Sequence, residues 1–104
     1  MTIQFNTGNR ITGDQRMSEA AAAIVEDNLS HFANQLTRVE VHVDDVNAQK
    51  GGSDDIRCSM EARLEGHQPL ATEHRAGSVE EAIEGAAAKL KRHLEHTLGR
   101  LKDR

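Results

Sequence analysis

The sequence predicts an α+β domain with the element order β-α-β-β-β-α, a four-stranded sheet carrying two helices on one face. Three observations predict it. Apolar residues alternate with polar ones through two central segments, the period of a strand with one wet face. On either side lie alanine-rich segments whose apolar residues recur at three- and four-residue spacing, the period of a helix. With 104 residues, the chain has room for one core only, so residues 1–104 read as a single domain.

The elements follow in order. Thr2 to Asn6 reads as a short strand, Ile3 and Phe5 alternating with Gln4 and Asn6, and Thr7-Gly8-Asn9-Arg10 as a turn. Thr12 with Gln15 matches a capping box at a helix start. The helix is expected to run to about Asn34, with Met17, Ala21, Ile24, Val25, Leu29, Phe32 and Leu36 forming one apolar stripe broken only by Asn28. From Arg38 the period becomes two: Val39, Val41 and Val43 alternate with Glu40, His42 and Asp44. Asn47 to Ser53, with Gly51-Gly52, reads as a loop. The clearest strand is the run in which Ile56, Cys58, Met60, Ala62 and Leu64 alternate with Arg57, Ser59, Glu61, Arg63 and Glu65. Gly66-His67 turns the chain into a weaker last strand, Leu70 to Ala76, with Pro69 suiting its start. Ser78 with Glu81 gives a second capping box for a helix from Val79 nearly to the end. Its stripe is Val79, Ala82, Ile83, Ala86, Ala87, Leu90, Leu94, Thr97, Leu98 and Leu101, weakened at Gly85 and Gly99 by about 1 kcal/mol each relative to alanine.

Composition narrows the class. Phe5 and Phe32 are the only aromatics, so the core is built from Val, Ile, Leu, Met and Ala, which suits thin helix-on-sheet packing. A lone cysteine forms no intramolecular disulfide and fits a reducing cytosol. No apolar run approaches the roughly 20 residues that span a bilayer, and no signal peptide is visible, so a cytoplasmic protein without a membrane partner is expected.

Charge is divided unevenly. Lys89 to Arg104 carry six Lys/Arg against two acids, a net +4, while the first 88 residues sum to −8. Turning 100° per residue from Lys89 puts Arg92, His93, His96 and Arg100 within about 60° either side of it, whereas Lys91 and Lys102 fall on the opposite flank. The ridge of Lys89, Arg92, His93, His96 and Arg100 suits contact with a phosphate backbone. A solvated helix end whose cations complement the helix dipole would carry the same residues. Arg57, Arg63 and Arg75 on the wet sheet face could extend the ridge, although cross-strand pairing with Glu61 and Glu65 explains all of them as well and is the reading preferred for them.

Taken together, these residues resemble the ribosome hibernation promoting factor family, which includes the ribosome-associated inhibitor described as a sigma-54 modulation protein. The likeness is carried by Ile3-Gln4-Phe5-Asn6-Thr7-Gly8-Asn9, the Thr12 helix start, Ser78-Val79-Glu80-Glu81-Ala82-Ile83-Glu84-Gly85, Lys89-Leu90-Lys91-Arg92-His93-Leu94 and Leu101-Lys102. The resemblance implies a double-stranded-RNA-binding-like fold and docking on the small ribosomal subunit. Its rRNA in the messenger and transfer RNA channel would be the partner, blocking translation in starved or stationary bacterial cells, with room for a second hibernation factor. A chain of this length corresponds to the family's short form. Lys89, Arg92, His93, His96, Arg100, Lys91 and Lys102 are then the expected RNA-binding residues. The acidic wet face (Asp44, Asp45, Asp54, Asp55, Glu61, Glu65) supports an alternative: a protein-binding regulator of the same fold that has lost the ribosome.

No enzyme is expected. Cys58 lies on the apolar phase of its strand and reads as a small core residue. His93 and His96 at three-residue spacing could share a metal, but no cysteine accompanies them and no metal or other cofactor is expected. The Asp44-Asp45 and Asp54-Asp55 pairs match no calcium-loop spacing. Neither a phosphate-cradling glycine loop nor a nucleophile triad is present. His42 and His74 with the Asp pairs are the remaining candidates for acid/base chemistry, and no small-molecule substrate is implied.

Overall fold

A computed structural model describes residues 1–46 and 56–102, with side chains described as far as Gly99. Strand β1 (Thr2–Thr7) leads to helix α1 (Gln15–Leu29), a single 3-10 turn (Ser30–Phe32) and strand β2 (Leu36–Asp45). Strands β3 (Ile56–Leu64) and β4 (Leu70–Ala76) follow, then helix α2 (Val79–Lys102). The sheet order is β1-β2-β3-β4, with β1 parallel to β2 and the other pairs antiparallel. The expected α+β class and element order are what the chain adopts. The loop expected at Asn47 to Ser53 lies outside the described residues.

Strand parity decides which face is dry. Val39, Val41, Val43, Cys58, Met60 and Ala62 are fully or almost fully buried on the helix-bearing face, against Ala21, Val25 and Leu29 of α1 and Ala82, Ile83, Ala86, Ala87, Leu90 and Leu94 of α2. Burying a Leu or Ile side chain is worth about 1.5–3 kcal/mol, so these residues supply most of the driving force. No charged or polar residue is buried among those described. The other face carries Arg38, Glu40, His42 and Asp44 on β2 and Arg57, Ser59, Glu61 and Arg63 on β3.

Three boundaries differ from the sequence expectation. The cap of α1 is Asp14, whose carboxylate accepts from the Met17 N–H at 2.8 Å, rather than Thr12 with Gln15. A carboxylate one residue before the helix reaches the free N–H groups directly, which Thr12, two residues further out, does not. Helix α1 ends at Leu29 instead of near Asn34. Leu36, which fits the helical stripe, is a buried β2 residue followed by an irregularity between Leu36 and Arg38. The strand β1 extends one residue further, so Thr7 pairs with Val43 instead of turning. At the second helix the capping expectation holds: the Ser78 hydroxyl accepts from the Glu81 N–H at 3.2 Å and lies 3.2 Å from the Glu81 carboxylate.

Candidate nucleic-acid interface

Helix α2 reaches the cationic residues by first lying tightly on the sheet. Its opening half presents Ala82, Gly85, Ala86 and Ala87 downward, residues small enough to bring the helix backbone close to β4. Thr72 donates its hydroxyl to the Ala86 carbonyl at 2.9 Å. The His74 ring fills the space where a side chain at Gly85 would stand, so glycine permits the approach. One turn further on, the Lys89 ammonium donates to the Glu73 carbonyl of β4 at 3.0 Å. The 24-residue helix is about 36 Å long. The seven-residue β4 strand is only about 23 Å.

The helix therefore outruns the strand it packs on. Its later part passes the β3–β4 turn, where Leu98 lines a groove with Gln35, Leu64, Gly66 and His67. The flank that faced β4 at Ala82, Gly85 and Ala86 continues in the same helical phase through Lys89, which still reaches β4, and on through Arg92, His93 and His96 toward the overhanging end. All four are exposed. The structure thus brings Lys89, Arg92, His93 and His96 together on one ridge. Arg100 shares their helical phase and Lys102 that of Lys91, though both side chains lie outside those described. Lys91 is half-buried on the opposite flank and does not join the ridge. Among the described residues, no ion pair neutralises Lys89, Arg92 or Lys91; the two ion pairs there are both made by Arg63.

Other sequence candidates fall elsewhere. Cys58 is fully buried, and burial pushes its thiol up from 9.0 to about 12, which keeps it protonated and unreactive near neutral pH. His42 points from the wet face of β2, whereas His74 lies on the helix-bearing face of β4, so the sheet separates the two acid/base candidates. No cluster of three metal-ligating side chains exists among the described residues. No helix of the described residues is long and apolar enough to cross a membrane.

Arginine pairing on the wet face departs from expectation. Arg63 bridges Glu40 on the neighbouring strand at 3.3 Å and Glu61, two residues back on its own strand, at 3.1 Å, so only the first pair is cross-strand. Arg57 and Arg75 make no ion pair among the described residues: the register sets Arg57 between Arg75 and Asp44, and the Asp44 carboxylate lies over Gly8 instead. Register is the missing signal; residue types alone do not supply it.

The sequence profile of sigma 54 modulation protein / S30EA ribosomal protein matches residues 7–102. The chain belongs to this family. Its membership spans every element after β1, including the whole of the cationic helix. Two solved structures share the fold. The Thermus thermophilus Protein Y N-terminal domain superposes with a TM-score of 0.74 at 13% identity, covering 93% of this chain and 99% of that one. A ribosomal subunit interface protein from Coxiella burnetii gives 0.72 at 13% identity, with 95% and 99% covered. No curated protein matches the chain at the sequence level. The family resemblance expected over nearly the whole chain is thereby shown. The two neighbours, at so low an identity, speak for the fold alone.

Proposed function

We propose that this chain is a ribosome-associated hibernation factor. It docks on the small subunit and inhibits translation by occupying rRNA of the messenger and transfer RNA channel in stressed or stationary cells. The observation that carries the reading is one flank of α2, a ridge of exposed Lys89, Arg92, His93 and His96 running from the β4 edge toward the helix end, with no acid paired to Lys89 or Arg92 among the described residues. A solvated helix end needs no such alignment. An RNA backbone does, since its phosphates are bound chiefly by clustered Lys and Arg. Family membership supports the ribosome as the partner. One fold neighbour is described as a ribosomal subunit interface protein. The reading is that of a non-enzymatic, cytoplasmic binding protein.

The test is a sucrose-gradient profile of ribosomes with and without added protein, at low and high salt. The protein is expected to migrate with the small subunit at low salt and to leave it as salt rises, because phosphate contacts release counterions. Absence from every ribosomal fraction at low salt contradicts the reading. The body's net charge of −8 favours one other reading, a regulator that meets a basic protein through its sheet face. Capture of one specific protein, with no ribosomal RNA, would establish that instead.

A further inference from the structure

Arg57 on β3 and Arg75 on β4 stand directly opposite each other on the outer face of the sheet. Their Cβ atoms are therefore about 5 Å apart, a separation at which like charges destabilise a strand pair. Among the described residues, no acid forms an ion pair with either arginine. Arg63 takes up Glu40 and Glu61. Asp44, opposite Arg57 on β2, holds its carboxylate over Gly8 and accepts from the Asp45 N–H at 2.9 Å. Glu73 lies on the same face one row away, opposite Ser59, and makes no ion pair with either arginine.

The pair is also continuous with the ridge on α2. Lys89 reaches across to the Glu73 carbonyl of β4, the edge strand of the sheet. Arg75 lies two residues further along that strand, about 7 Å away. Cations thus run from Arg92 through Lys89 at the sheet edge to Arg75 and Arg57 on the opposite face. We propose that Arg57 and Arg75 form a second phosphate-binding point, clamping one phosphate of the same RNA whose backbone passes round the β4 edge by way of Lys89. The inference rests on the RNA-binding reading above. Two guanidinium forks on directly opposed residues match the several oxygens of a phosphate, and an anion between them removes the repulsion that the bare pair carries.

The test measures affinity for purified small ribosomal subunits over a salt series, for the parent chain and three variants. The Arg57→Gln/Arg75→Gln variant is expected to bind about tenfold more weakly, and its slope of log affinity against log salt should be shallower by about one. Its melting temperature should equal or exceed the parent's, which separates lost binding from lost folding. Glu73→Gln is expected to bind a few-fold more tightly, as an opposing charge is removed. If Arg57→Gln/Arg75→Gln keeps the parent's affinity and slope while Lys89→Glu/Arg92→Glu loses binding, the second point is overturned and the functional reading stands. If the parent itself does not bind, the functional reading falls and this inference with it.

Discussion

The His74 ring of β4 occupies the space that a side chain at Gly85 of α2 would require. Together with the Thr72–Ala86 hydrogen bond, this contact sets how close the cationic helix lies to the sheet edge. Replacing Gly85 by alanine should raise helix propensity by about 1 kcal/mol. It also forces the ring or the helix to move, at about 1–3 kcal/mol for overpacking. The net expectation is a loss of stability in Gly85→Ala. In a His74→Ala background the same change should become stabilising. Denaturant melts of the four proteins in that cycle check the sign; a stabilising Gly85→Ala in the parent chain would show that the two residues do not meet.

Helix α1 depends on Asp14. Asp14→Ala should cost about 1 kcal/mol, since the Met17 N–H loses its acceptor. Thr12→Ala should change stability by no more than about 0.5 kcal/mol. Thermal melts of the two single variants compare them directly, and a costlier Thr12 would return the cap to the position the sequence pattern favours.

Cys58 gives the protein an alkaline limit. Its thiol is pushed up from 9.0 to about 12 by burial, so the folded state keeps a proton that the unfolded state loses from about pH 9. Between these values the unfolded chain binds fewer protons, and stability falls as pH rises. The contribution is fully present below pH 9. Stability curves from pH 8 to 11 should decline more steeply for the parent than for Cys58→Ala. Thiol reagents should label Cys58 at neutral pH only under unfolding conditions; rapid labelling of the native protein would contradict its burial.

The legibility of the fold varied with the strength of its period. Alternation from Ile56 to Leu64 has no competing helical reading, and β3 lies where the pattern puts it. Leu36 satisfies both the helical stripe and the parity of Val39, Val41 and Val43. The pattern therefore leaves the end of α1 open, and packing into the sheet decides it. Thr12 and Asp14 are both competent caps, and only the path of the chain selects between them. The ridge of Lys89, Arg92, His93 and His96 follows from helical phase alone. Its exposure does not, because that depends on how α2 lies against the edge strand β4. The opposition of Arg57 and Arg75 depends on register, which residue types do not encode.

The central claim is that the α2 ridge docks the domain on ribosomal RNA. Its most direct measurement is co-sedimentation with ribosomes of a variant in which Lys89, Arg92 and Arg100 are all changed to Glu, alongside the parent. Lys89 and Arg92 are exposed, and Lys89 gives up a single surface hydrogen bond to the Glu73 carbonyl, so the variant should keep the parent's circular dichroism and cooperative melt. Each lost phosphate contact should also remove about one unit of salt slope. The account predicts that the folded variant is absent from ribosomal fractions in which the parent is found. A folded variant that sediments with ribosomes as the parent does would contradict it.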